Sequence, residues 1–167
     1  MANPSKGKGT AMETWTVRYL SWALQDTRID RMSLHGAQDR GDLTGVAYRG
    51  EPVCVEVKDT RKPAYAAHWR ELETEMGNMD ARYGVLVQHR PGVPVRSLEG
   101  MAGQMAVLSR MMLGRFVEPL EPGMRLVVVA VAQPIPSCAD LVWLPLGVFA
   151  LILNDMLPLG PEGHGDA

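Results

Sequence analysis

The chain has almost no cysteine. Cys54 and Cys138 are its only thiols, which leaves no disulfide framework, and no Cys/His spacing suits a zinc site. Long apolar runs are missing too. The most apolar stretch, residues 141–153, contains Pro145 and falls short of the ~20 residues a membrane span needs. Residues 1–9 are polar, carry Lys6 and Lys8, and lack the apolar segment of a secretory leader. These absences point to a soluble protein of a reducing cytoplasm. No internal repeat is visible, and the formal net charge of -2 is small. At 167 residues the chain is long enough for one domain with a real core.

Charge is unevenly placed. Every lysine (Lys6, Lys8, Lys58, Lys62) lies before Pro63, and acids outnumber bases after residue 70. The N-terminal part is thus the more basic, which suits a polyanionic partner.

Residues 42–58 carry the densest information. Two β-type runs flank an Arg49-Gly50 turn signal and predict a hairpin. In its second run Val53, Val55 and Val57 share one face, and Cys54, Glu56 and Lys58 share the other, because side chains alternate along a strand. A carboxylate and an ammonium therefore point the same way. Asp42 precedes the first run, where it could reach that face. Two carboxylates and a lysine converging on one point can hold a divalent metal and activate water beside it.

Around the hairpin, periodicity predicts a mobile basic arm over residues 1–9 and a helix over 10–24. Met12, Trp15, Tyr19 and Trp22 form one stripe of that helix, and Glu13, Val17, Leu20 and Leu24 an adjacent one. Glu13 is an acid in line with an apolar face. Thr10 and Glu13 also have capping-box spacing, in which Glu13 would only return to the Thr10 N–H. A strand over 28–34 and a polar loop over 35–41, with His35 and Gln38, lead to the hairpin. Pro63 opens a helix over 64–80 with Tyr65, Trp69, Leu72, Met76 and Met79 inward. Its glutamates, Glu71, Glu73 and Glu75, read as a solvated face. A strand follows over 84–89. Beyond it the pattern predicts a Met-rich helix over 97–113, a buried strand over 125–132, a strand over 141–144 and a helix over 147–157. Residues 158–167 read as a disordered tail.

Glu13 on the opening helix, Gly41-Asp42 before the hairpin and Glu56-Val57-Lys58 on its second strand resemble the PD-(D/E)xK nuclease superfamily. The longer strings Asp39-Arg40-Gly41-Asp42-Leu43 and Val55-Glu56-Val57-Lys58, with the segment from Trp69 to Ala81, are similar to its archaeal-type Holliday-junction resolvases and their bacteriophage relatives. Gly41 stands where the motif has proline. The likeness spans residues 7–90, with 141–157 similar to the closing strand and helix of the phage group.

What the resemblance implies is an α/β fold: a restriction-endonuclease-like αβββαβ core with a mixed sheet and extra C-terminal elements. It implies one nuclease domain over 10–157, with its core at 10–90. The activity implied is Mg²⁺-dependent endonucleolytic hydrolysis of phosphodiesters in branched DNA, Mn²⁺ substituting. Glu13, Asp42, Glu56 and Lys58 are the implied catalytic set. Asp42, Glu56 and the Val57 carbonyl would hold Mg²⁺, with Glu13 on a second metal or its water, and Lys58 would orient water and stabilise charge on the phosphate. Arg28, Arg31, Arg40, Arg61 and Lys62 are candidate phosphate contacts. A junction has two strands to cut symmetrically, so the implied assembly is a two-fold homodimer, with residues 97–113 and 141–157 as candidate interfaces. The place implied is the cytoplasm, that of a bacterial host if phage-encoded. Two other readings stand beside this one: an end-processing or restriction-like nuclease of the same fold, and a non-catalytic DNA-binding or packaging protein.

Overall fold

The computed structural model describes residues 4–33 and 40–161, the side chains of residues 4–8 excepted. Helix α1, Pro4–Leu24, starts six residues before the expected position. Most of the expected arm is therefore helix, and residues 1–3 lie outside the described residues. Met12, Thr16, Tyr19, Leu20 and Ala23 are its buried positions. Strands β1 (Asp30–Arg31), β2 (Leu43–Thr44), β3 (Ala47–Tyr48) and β4 (Glu51–Lys58) follow. The expected 28–34 strand shrinks to β1. His35 and Gln38 lie outside the described residues. The hairpin holds: β3 pairs antiparallel with β4 through Arg49 and Gly50, both with positive φ (51° and 85°), the two-residue turn that matches strand twist.

Helix α2, Tyr65–Met79, ends where Asp80 adopts the left-handed conformation. It crosses over to β5, Tyr83–Gln88, which pairs parallel with β4 from Val53↔Tyr83 to Lys58↔Gln88. Every residue of β5 is buried, and from Tyr83 to Val87 it is the near-continuous apolar run of a strand covered on both faces.

Beyond β5 the structure departs from expectation. The Met-rich segment is not one helix but α3 (Leu98–Ala102), β6 (Met105–Ser109) and α4 (Arg110–Val117). Met105 to Leu108 is a short continuous apolar run that periodicity alone does not assign. Two serines punctuate it: Ser97 Oγ accepts from the Gly100 N–H and Ser109 Oγ from the Met112 N–H, capping α3 and α4. The expected 125–132 strand is helix α5, Pro122–Val131. Its valines favour strand, but Pro122 sits in its first turn, where its missing N–H costs nothing. Strands β7 (Gln133–Ile135) and β8 (Cys138–Pro145) and helix α6 (Leu146–Leu153) complete the chain. The described part of the expected tail is seated: the Gly160 N–H donates to Ala23 O at 3.0 Å, with Gly160 packed on Trp22. Residues 162–167 lie outside the described residues.

The result is an α/β fold with a mixed, open sheet in the order β1-β2-β4-β5-β6-β8-β7 and β3 attached to β4. One face carries Val53, Val55, Val57 and Tyr83. Against it Tyr83, Phe116 of α4 and Phe149 of α6 stack at centroid distances of 4.8 and 5.1 Å, and the Tyr48 hydroxyl donates to Phe116 O at 2.9 Å. Helix α1 packs on α3 and α6 on this side. The other face carries Cys54, Glu56, Lys58 and Gly84, covered by α2. A side chain on Gly84 would collide with Met76, so glycine there lets α2 close over the polar face of β4.

Candidate active site

The site is built where β2 begins beside β4. Gly41 has φ of 82°, and a Cβ there would lie 3.0 Å from Val55 O and 3.1 Å from Cys54 Sγ. Only glycine makes that approach without strain. It delivers Asp42 onto β4: the Asp42 N–H donates to Val55 O at 2.9 Å and its carboxylate accepts the Val57 N–H at 2.8 Å. The Val57 N–H points to this edge. Within a strand the carbonyl of a residue lies on the same edge as its N–H, so the Val57 carbonyl also faces Asp42.

Glu56 is 5% exposed, beneath α2. Burial pushes the Asp42 carboxyl up to about 7, the Glu56 charge adding to it and the Val57 N–H opposing. Burial likewise raises Glu56 to about 7, with Glu75 adding and the bond to Lys58 opposing. The Glu56 charge raises Asp42 directly, so the ionisation of one carboxyl depends on the other. They behave as a pair, as close acids in a desolvated site do. The Lys58 ammonium lies 2.5 Å from Glu56 Oε1 and 3.1 Å from Glu71 Oε2. Burial works against its charge, but the bonds to Glu56 and Glu71 outweigh that and raise its pKa.

Glu13 lies close enough to act on the Asp42 charge, but its own carboxylate is held by Arg31, at 2.6 and 2.9 Å. The capping-box alternative falls away, because Thr10 is inside α1 rather than at its start. Among the expected phosphate contacts, Arg31 is thus paired to Glu13. Arg28 is paired to Asp26 at 2.6 Å. Arg40, Arg61 and Lys62 are exposed on the segments flanking Asp42 and Lys58.

Two site neighbours escaped the sequence reading. Glu75, read as solvated, is 5% exposed and bears on Glu56. Glu71 holds Lys58. The signal was present: His68, Glu71 and Glu75 recur at helical spacing next to Leu72 and Met76, on the side α2 turns to β4. His68 stands there too, its pKa lowered by burial and by Lys58, with Glu71 opposing.

Among the described residues no three His, Cys, Asp or Glu side chains gather as a metal-holding group. The donor set that does fit a divalent cation is smaller: the Asp42 and Glu56 carboxylates, which repel each other when both ionise, and the Val57 carbonyl. These are hard oxygen donors, as Mg²⁺ prefers. No family model, curated protein or solved structure matches the chain. Among the described residues no helix is long and apolar enough to cross a membrane.

Proposed function

We propose that the chain is a metal-dependent endonuclease of the PD-(D/E)xK type, acting on branched DNA in the manner of a Holliday-junction resolvase. One observation carries the reading: Asp42, fixed on β4 by the Val57 N–H, acts on the buried Glu56, with the Lys58 ammonium on the same strand face as Glu56. Burying two acids together is costly unless positive charge offsets it. Lys58 offsets only part, which leaves a place for a cation.

A bound Mg²⁺ would supply charge neutralisation at the phosphate and an acidified water. Asp42, Glu56 and the Val57 carbonyl would hold it. The Asp42 carboxylate is kept in place by the Val57 N–H. Lys58, anchored on two carboxylates, presents an ammonium that orients the attacking water and stabilises charge developing on the phosphate oxygens. Arg40, Arg61 and Lys62 would hold flanking phosphates without reading sequence. Glu13 would act on the same site only after exchanging its Arg31 partner, and Arg31 would then be released towards DNA.

The homodimer that symmetric cutting calls for would be closed by α5. The surfaces first considered, residues 97–113 and 141–157, supply β6, β8 and the buried side of α6 to the chain's own core. On α5, by contrast, Leu126 is 73% exposed, and Met124, Val127, Val129 and Val131 are exposed with it. Its only charge, Arg125, is turned onto Leu120 O at 2.7 Å. An apolar helix whose one charge is turned aside meets its own copy across a two-fold axis at little electrostatic cost.

The deciding assay offers a four-way junction, a linear duplex and a single strand, each with Mg²⁺ and with EDTA. Junction cutting that requires the metal is expected. Undiminished cutting in EDTA would overturn the metal reading. Preference for the linear duplex would favour an end-processing or restriction-like enzyme, and binding without cutting a non-catalytic DNA-binding protein.

A further inference from the structure

Lys58 is shared between two elements. Its Nζ touches Glu56 of β4, whose side chain is 7% accessible, and Glu71 of α2, whose side chain is 51% accessible. Glu56 faces Asp42 on the same side of the sheet, whereas Glu71 is outside that pair and one helix turn before Glu75. The two contacts on Lys58 are therefore not equivalent. One is to a carboxylate of the proposed metal set, and the other is to a carboxylate that serves only the ammonium.

A cation entering between Asp42 and Glu56 competes with Lys58 for Glu56. Like charges also repel, so the ammonium must yield some of its hold on Glu56 as the cation arrives. If Glu56 were its only anchor, Lys58 would either block the cation or swing into solvent, because a lysine is a flexible stem with a compact, strongly hydrated charge. Glu71 removes that dilemma. An ammonium has three donors, and one is already directed at Glu71.

We propose that Glu71 is a positioning residue that keeps the Lys58 ammonium beside the site while Glu56 turns to a divalent cation. The inference rests on the metal reading above. It assigns Glu71 a task that neither Glu73 nor the general negative charge of α2 performs. Glu73 lies on the same helix and instead accepts from the Trp69 indole N–H at 2.9 Å.

The test is Mn²⁺ binding followed by the electron paramagnetic resonance signal of the free ion, which needs no catalysis. Glu71→Gln should weaken Mn²⁺ binding about fivefold, the scale of a partly exposed ion pair, because Lys58 falls back onto Glu56 alone. Glu73→Gln, the same charge change two residues along, should leave it unchanged. Lys58→Met should tighten binding, and adding Glu71→Gln to Lys58→Met should then change nothing, a coupling that a merely electrostatic role does not produce. Glu71 is half exposed, so its variant folds even if the Lys58 variant does not, and the Glu71/Glu73 pair alone still decides. Mn²⁺ binding by the wild type with no loss in Glu71→Gln, or with an equal loss in Glu73→Gln, overturns this inference and leaves the metal reading standing. No Mn²⁺ binding by the wild type, or binding that survives Asp42→Asn together with Glu56→Gln, overturns both.

Discussion

The two ends of the sheet break the inside–outside rule in opposite ways. At the β2–β4 end, acids are buried: Glu56 and Glu75 are each 5% exposed, with Asp42 beside them. At the β7 end, apolar side chains are bare: five of the large residues on α5 are exposed and Val128 alone is buried. The first anomaly is partly settled within the chain, by Lys58 and by the Val57 N–H. The second is not settled at all. A polar group in the interior and an apolar patch on the surface are the two informative exceptions to burial statistics. Here one marks a place for chemistry and the other a place for contact.

The largest effect is expected from neutralising Asp42, beside the buried Glu56. Asp42→Asn should abolish cleavage, by a factor of about a thousand or more, since it removes a metal ligand and with it the activated water. Junction affinity by gel shift should hold or improve, because affinity resides in dispersed Lys and Arg contacts and one repelling carboxylate has gone. Cutting at the wild-type rate would show that the active site is elsewhere.

The α5 end is tested by paired substitutions on one helix. Val128→Asp puts a charge into the core and should cost several kcal/mol, seen as a large loss of thermal stability. Leu126→Asp should leave stability within about 0.5 kcal/mol but convert a dimer to a monomer by light scattering. A wild-type protein that is monomeric at tens of micromolar, with and without junction DNA, would remove the dimer from the proposal.

A smaller effect is expected from pH. Asp42 and Glu56 both have folded pKa values raised to about 7 from 3.8 and 4.5. A raised acid binds its proton more tightly in the folded state, so its favourable contribution is complete below the unfolded pKa and is lost as pH climbs through the folded one. From this pair, metal-free protein should lose stability between about pH 4 and pH 7. Asp42→Asn should flatten that slope, and Mg²⁺ should restore stability at pH 8 in the wild type only. Calorimetric melts across the range read all three.

The smallest effect on folding is expected at Glu13. Glu13→Gln loses a pair with Arg31, whose side chain is 43% accessible, which costs no more than about 1 kcal/mol. The same variant should slow single-turnover cleavage if Glu13 serves the site. An unchanged rate would leave Glu13 as a partner of Arg31 alone.

Local rules make part of this molecule legible in its sequence. Strand alternation put Glu56 and Lys58 on one face, Arg49-Gly50 demanded a tight turn, and the stripe from Tyr65 to Met79 required α2. Each depends on neighbours within a few residues, which is the range over which period and turn chemistry act. The Met-rich segment was not readable in this way. Met105 to Leu108 suits a buried strand or a helix equally, and only a vacant place between β5 and β8 made it β6. On α5 a valine-rich run became a helix, which Pro122 in its first turn could start. Most of all, tertiary structure decided which glutamates matter. Glu71, Glu73 and Glu75 look alike in sequence, but the closeness of α2 to β4, permitted by Gly84, buries Glu75, ties Glu71 to Lys58 and leaves Glu73 on the indole of Trp69. Charge on a helix has no meaning until another element approaches it, because the cost of burial and the strength of an ion pair both depend on how much water that approach removes.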